Sequence, residues 1–415
     1  MQPNSKPSFP SNWASNGTYA AGAAIGVANK VAPSSALIAD GFRPDAPFSP
    51  QIVNYLLQQY GAALNWTAGL PLDGWRKVTT GGVGTNTREV PRNVVLTQTG
   101  AGVVETLTEN SGVPGSGAYL GTFSFGATAT IRQMQSNGKR ACALCTDTGA
   151  VLLWSTADFL HAAAFNADTQ PAIPSTYSPT DIRLISWISP DMSADGCVFV
   201  NHKDIYVGVP SGSTLTWTLS QANVFGTHNY HENSAQSSAD TDGTYFLAAI
   251  PPITGATKIF GGLLGSVAAQ QDLPGSVTGD YCAIVAKGSG IFWAVTLNFA
   301  VYSIDLTVGT PVWSLLGAPT LTPTLLNTYT FQLQNSPYLN SVVTLGNSIV
   351  CIAATADGSG NKISYLIWSD DFTHWNGFRC DCELLNFSGT RLYMQDASTH
   401  DTYASPRLTA ALPLF

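Results

Sequence analysis

Between residues 137 and 405 one short pattern returns six times: a turn of small or polar residues, an apolar strand, a second strand and often an aromatic. It opens at Asn137 (NGKRACALCTDTGAVLLWS), Asp195 (DGCVFVNHKDIYVGV) and Asp242 (DGTYFLAAIPPITGATKIF). It returns at Gly279 (GDYCAIVAKGSGIFWAV), Gly346 (GNSIVCIAATADGSGNKISYLIWS) and Ser388 (SGTRLYMQDASTHDTYAS). The mean spacing is about 50 residues, close to the roughly 40–50-residue repeat of propeller blades. A unit of this size cannot bury its apolar face alone and must stack on its neighbours. The pattern therefore predicts a mainly β chain whose body is a β-propeller of six or seven blades. The turns at Asn137, Asp195 and Asp242 should occupy equivalent places in successive four-stranded sheets.

Composition agrees with strands and turns. Gly (39) and Pro (24) are abundant, while Lys and Glu, which favour helices, are scarce. Charged residues make up 11 % of the 415-residue chain, against about 25 % in an ordinary soluble protein. Such a surface is expected either to be covered by partners or to belong to an extracellular all-β protein. The net charge of −8 and the absence of any basic cluster beyond pairs such as Arg76-Lys77 and Lys139-Arg140 argue against nucleic-acid binding. The first residues carry no apolar signal-peptide core, and the most apolar uncharged run, residues 291–304, is too short to span a bilayer. From 306 to 356 there is no Asp, Glu, Lys, Arg or His. That stretch is expected either in a subunit interface or in a low-charge β region.

Seven cysteines form no dense framework. Cys142 and Cys145 make a CxxC, but on a strand residues i and i+3 face opposite sides, so they are expected to be buried structural thiols. Four of the repeats are expected to carry a cysteine on their first strand, at Cys142, Cys197, Cys282 and Cys351. The cluster His228-Asn229-Tyr230-His231-Glu232 lacks the helical HExxH spacing of a zinc site and reads as a loop. No nucleophile elbow, phosphate loop or dinucleotide fingerprint is present. Candidate carboxylate pairs, Asp370-Asp371 and Asp381 with Glu383, fall in no recognisable motif. The expectation is a protein that is not an enzyme and needs no metal or cofactor.

Residues 1–75 differ from the rest and are expected to form a separate docking region, with the propeller over 76–415. Ser49 suits an N-cap and Pro50 the first helical position. Phe48 and Val53 are spaced as a staple, and Ile52, Val53, Leu56, Tyr60, Ala63 and Leu64 then fall at helical period. A proline-stiffened arm followed by one short amphipathic helix suits docking into a neighbour's groove. The positions expected to dock are Trp13, Tyr19, Phe42, Arg43, Pro44, Ile52, Tyr55 and Leu56.

Two resemblances add to this reading. LLWSTADF (152–159) and LIWSDDFTHW (366–375) resemble the Asp-box of sialidase-type propellers, in which Ser and Asp brace a hairpin turn and Trp packs between sheets. Ser369, Asp371 and Trp375 match it loosely, with Thr373 in place of the usual Gly. The family's arginine motif is missing. Over the first 65 or so residues, Trp13-Ala14-Ser15, Tyr19, Lys30, Pro33, Gly41-Phe42-Arg43-Pro44 and Asn54-Tyr55-Leu56-Leu57 resemble an N-terminal module of tailed-bacteriophage virion proteins. That resemblance implies a tail-associated structural protein, made in the bacterial cytoplasm and located in the virion. Its partners would be other tail or portal-proximal subunits and further copies of itself in a ring or fibre. The alternatives are a propeller that binds host surface glycans and, further off, one that cleaves them.

Overall fold

A short apolar run between turns fits a strand buried on both faces better than a helix. CALC, CVFV, FLAAI and VCIA are such runs, and each lies in a strand whose residues are buried. The computed structural model describes residues 76–79, 83–90, 94–108, 119–148, 150–157, 164–170, 173, 182–189, 193–230, 237–251, 256–274, 282–318, 332–333, 342–345, 347–356, 362–379, 384–388, 391–395 and 401–405. Every regular element among them is a strand.

The strands form seven antiparallel sheets, six of them from consecutive strands. After β1 (Arg76–Thr79), sheet 1 is β2 (Val83–Val90), β3 (Val94–Gly100), β4 (Val103–Thr108) and β5 (Tyr119–Ser124). Sheet 2 is β6 (Thr130–Ser136), β7 (Ala141–Asp147), β8 (Ala150–Thr156) and β9 (Asn166–Ala167). Sheet 3 is β10 (Ile182–Ile188), β11 (Asp195–Asn201), β12 (Asp204–Ser211) and β13 (Thr214–Gln221). Sheet 4 is β14 (Ser238–Thr241), β15 (Tyr245–Ile250), β16 (Lys258–Leu263) and β17 (Ala268–Ala269). Sheet 5 is β18 (Cys282–Gly288), β19 (Ile291–Thr296), β20 (Val301–Asp305) and β21 (Ser314–Gly317). In sheet 6 two short pieces, β22 (Gln332–Leu333) and β23 (Val342–Leu345), pair with β24 (Ser348–Ala356), which is followed by β25 (Lys362–Ser369) and β26 (Asn376–Arg379). Sheet 7 is β27 (Leu384–Ser388), β28 (Arg391–Gln395) and β29 (Thr402–Ala404), and β1 supplies its fourth strand.

The first strands lie side by side: β2 against β6, β6 against β10, β10 against β14, β14 against β18, β18 against β23, and β27 against β2. The last contact returns sheet 7 to sheet 1. This is a seven-bladed β-propeller, closed by pairing the early strand β1 with the late strand β29 (Arg76↔Ala404, Lys77↔Tyr403).

The core lies in wedges between sheets. Cys142, Leu144 and Leu153 of sheet 2 meet Cys197, Phe199 and Trp217 of sheet 3. Val198, Val200 and Ile205 meet Phe246, Ala248 and Phe260 of sheet 4. Trp293 and Val295 of sheet 5 meet Ile349, Cys351 and Tyr365 of sheet 6. Each fully buried large apolar side chain contributes roughly 1.5–3 kcal/mol by leaving water.

Polar side chains stitch one first strand to the next. Asn86 Oδ1 accepts from the Met134 N–H at 3.0 Å. Gln133 accepts from the Leu184 N–H at 2.7 Å and donates to the Ile182 carbonyl at 2.9 Å. From β14 and its turn, Ser238 takes the Ile284 N–H, Asp240 the Ala286 N–H and Asp242 the Gly290 N–H.

The turns at Asn137 and Asp242 are equivalent, as the pattern predicts. Both join first to second strands, and in both the side-chain oxygen takes the N–H groups two and three residues on, at 2.7–2.9 Å. Gly243 adopts φ 91° there and lies against the Trp187 ring, where a Cβ has no room. Asp195 departs from the rule. It begins β11, and just before it the Ser189 N–H donates to the Ala194 carbonyl at 2.9 Å. The segment at Gly279 starts one strand early, because the hairpin of sheet 5 is Gly288-Ser289-Gly290. Cys282 is thus on a first strand, whereas Cys142, Cys197 and Cys351 are on second strands. Nor are the cysteines equivalent: Cys142 faces the following sheet, and Cys197, Cys282 and Cys351 face the preceding one. The first blade escaped the sequence pattern because no small-residue pair separates β2 from β3 in the sequence.

Closure by β1 gives a direct test. Removing residues 1–75 should leave a cooperative propeller, while removing 1–79 should lower its stability by about 3 kcal/mol, at about 1 kcal/mol per hydrogen bond lost. Urea unfolding of the two truncations measures the difference, and equal midpoints would show that β1 does not close the ring.

Candidate functional site

All eight positions expected to dock, Trp13, Tyr19, Phe42, Arg43, Pro44, Ile52, Tyr55 and Leu56, lie outside the described residues. So do His231 and Glu232. His228 lies in a turn after β13, its ring 6.3 Å from that of Phe260. Among the described residues no group of three or more His, Cys, Asp or Glu side chains is arranged to hold a metal. No helix among them is long and apolar enough to cross a membrane.

The Asp-box-like segment of sheet 6 folds as a brace. Asp371 Oδ1 takes the Thr373 N–H at 2.9 Å and the His374 N–H at 2.7 Å, and its other oxygen meets His374 Nδ1 at 2.6 Å. His374 and these amides hold the exposed Asp371 carboxyl well below the usual carboxylate range. Ser369 Oγ donates to the His374 carbonyl at 2.7 Å. The turn drops Trp375 into the wedge with sheet 5, its ring 5.6 Å from Phe299. The related LLWS segment also ends a third strand, but there Ser155 donates to Asp168 at 2.5 Å.

Asp168 joins sheets 2 and 3. It accepts from the Leu215 N–H at 2.9 Å and from Trp217 Nε1 at 2.8 Å. Nearby, Arg140 meets Asp195 at 3.1 Å and donates to the Gly212, Ser213 and Thr214 carbonyls. Trp313 likewise reaches back to sheet 4, donating to the Gln271 carbonyl at 2.9 Å. Tryptophans near the fourth strands of sheets 3, 5 and 6 thus pack against the preceding sheet, and no described tryptophan is exposed. Sequence reasoning missed these brackets. The available signals were the alternating polar residues of SADTD (238–242) and a Trp near the fourth strands of sheets 3, 5 and 6.

The nearest thing to converging arginines is a buried group that includes Arg88, Arg183 and Tyr393. Burial first, and then the charge of Arg183, lower Arg88 to about 9, with Tyr393 opposing. Arg88 is 1 % exposed and Tyr393 0 %, so neither offers a surface to a substrate.

The uncharged stretch 306–356 divides in two. Val342, Ile349, Val350, Cys351, Ile352 and Ala353 are buried, so there the lack of charge reflects core. Val308, Val312, Leu315 and Leu316 are exposed on the outer rim of sheet 5. There β21 is the last strand of its sheet and pairs with β20 alone among the described strands. Asp305, taking the Thr307 N–H and hydroxyl, fixes the turn beside this rim. Val308, Val312, Leu315 and Leu316 together make an exposed apolar edge among the described residues.

No protein-family model and no curated relative matches the chain. Among solved structures, the Cps50 (Swd1) β-propeller domain of Myceliophteria thermophila is 10 % identical, with a TM-score of 0.46 over 80 % of this chain and 98 % of that one. The RRP9 WD40 repeats give 11 % identity and 0.46 over 81 % and 98 % of the two chains. YCF48, solved bound to D1 peptide, gives 12 % and 0.47 over 82 % and 96 %. The propeller assignment stands on the sheet order above.

Two buried carboxyls make the fold pH-sensitive in a defined direction. Burial pushes Asp168 and Asp240 above the usual carboxylate range, against the hydrogen bonds each accepts. The native chain therefore holds these protons more tightly than the unfolded chain. Their contribution to stability falls as pH rises from the unfolded value, about 3.9, through the raised native values, and is level above them. Asp240→Asn has no carboxyl to ionise at that position, so it should gain on the parent protein as pH rises. Urea midpoints at about pH 4 and pH 7 measure this, and a pH-independent difference would mean that Asp240 titrates normally.

Proposed function

We propose that this chain is a non-enzymatic structural component of a tailed-phage virion, docked through residues 1–75 and presenting the propeller as a rigid body. The observation that carries the reading is the N-terminal pattern Trp13-Ala14-Ser15, Gly41-Phe42-Arg43-Pro44 and Asn54-Tyr55-Leu56-Leu57, which resembles the docking modules of such virion proteins. A partner burying Trp13, Tyr19, Phe42 and the Ile52–Leu56 face gains roughly 1.5–3 kcal/mol per large side chain. The prolines reduce the entropy lost when the arm orders.

Two features of the propeller favour a scaffold over a catalyst or a lectin. The arginines nearest to a cluster are buried, and the described tryptophans serve packing between blades. The neutral rim of sheet 5 is where a neighbouring virion subunit or a second copy would meet the body.

Deleting residues 1–65 should give a folded propeller that no longer enters particles. Trp13→Ala with Phe42→Ala should reduce incorporation and leave the melting temperature of the body unchanged. Particle composition after complementation with the truncated gene measures this. Full copy number of the truncated protein would move the anchor to the sheet 5 rim.

A further inference from the structure

Facing residues of β7 and β11 pair off at one constant sequence offset. Arg140, just before β7, meets Asp195 at 3.1 Å. Two residues on, Cys142 meets Cys197, Sγ to Sγ, at 2.8 Å. Two further on, Leu144 and Phe199 share the same wedge. The offset is 55 residues for both polar pairs. The buried ion pair and the apolar pair therefore hold the two strands at fixed separation on either side of the sulfurs. At 2.8 Å the sulfurs are closer than the about 3.5–4.0 Å optimum of non-bonded heavy atoms. Both thiols are 0 % exposed and lie on different blades.

We propose that Cys142 and Cys197 are a site of covalent cross-linking, a latent disulfide that staples blade 2 to blade 3. The reaction needs a two-electron oxidant, and a small disulfide such as oxidised glutathione supplies it. One thiolate attacks a glutathione sulfur, forming a mixed disulfide and releasing one glutathione thiol. The second cysteine thiolate then attacks the first cysteine sulfur, forming the Cys142–Cys197 bond and expelling the second glutathione thiol. The two cysteine protons end on the two glutathiones. Burial, together with the neighbouring thiol, raises the Cys142 pKa well above its ordinary value. The closed wedge is thus a slow nucleophile, and oxidation proceeds as the blades open and re-close. Cys145, three residues away, faces sheet 1 and has no part in the bond.

The test uses the full-length chain, incubated with oxidised glutathione and, as control, with a thiol reductant. Free thiols are then alkylated under denaturing conditions, and the protein is digested without reduction. The expected result is one linked peptide pair joining Cys142 to Cys197, with Cys145 alkylated. Closing a loop of this length should raise the melting temperature by about 5 °C, and reductant should reverse the gain. Cys142→Ser should abolish both the link and the gain. Recovery of Cys142 and Cys197 as separately alkylated or glutathionylated residues would overturn the proposal, as would linkage of either to another cysteine. The peptide map on the unsubstituted chain decides the question even if the serine variant fails to fold.

Discussion

A ring of radial sheets leaves one backbone edge of every sheet facing the axis, and unpaired backbone groups buried there are costly. The described blades answer with side chains. Asn86 serves β6, Gln133 serves β10, and Ser238, Asp240 and Asp242 serve β18 and its hairpin. In each case the side chain belongs to one sheet and the backbone group to the next, so the bonds run in one direction around the ring. Removing one such side chain strands a buried N–H, a loss of about 1–3 kcal/mol. The wedges supply the bulk of the burial, while these bonds fix the register between neighbouring blades.

The same geometry accounts for part of the low charge. Sheets 2 to 5 are covered on both faces by their neighbours, so their second strands read as continuous apolar runs. Little of the chain in these strands meets water, and few positions call for Lys or Glu. Among the described residues of 306–356, the lack of charge reflects core at β24 and an exposed apolar edge at Val308, Val312, Leu315 and Leu316.

Most of the fold was legible because a propeller writes its period into the sequence. The turns at Asn137 and Asp242 were readable because an Asn or Asp before Gly makes the same side-chain-to-backbone turn wherever it occurs. Asp195 looked like a third member, yet its carboxylate is taken by Arg140, an interaction between blades that no local pattern encodes. The opposite facing of Cys142 and Cys145 followed from strand geometry. The meeting of Cys142 with Cys197 did not, since it depends on the relative placement of two sheets. The eight docking positions remain a reading of sequence and resemblance.

Closure of the ring rests on a single sheet. Residue 75 is bonded to β1, and β1 is the outer strand of sheet 7, paired with β29. Among the described sheets, sheet 7 is the one assembled from an early and several late strands, and its β1–β29 ladder closes the ring. Arg391, in the same sheet, contributes by donating to the Ser405 carbonyl just past β29. Its buried guanidinium ties the terminal strand to β28 independently of β1. Loss of β1 would therefore leave β29 still anchored from its inner side, by β28 and by Arg391.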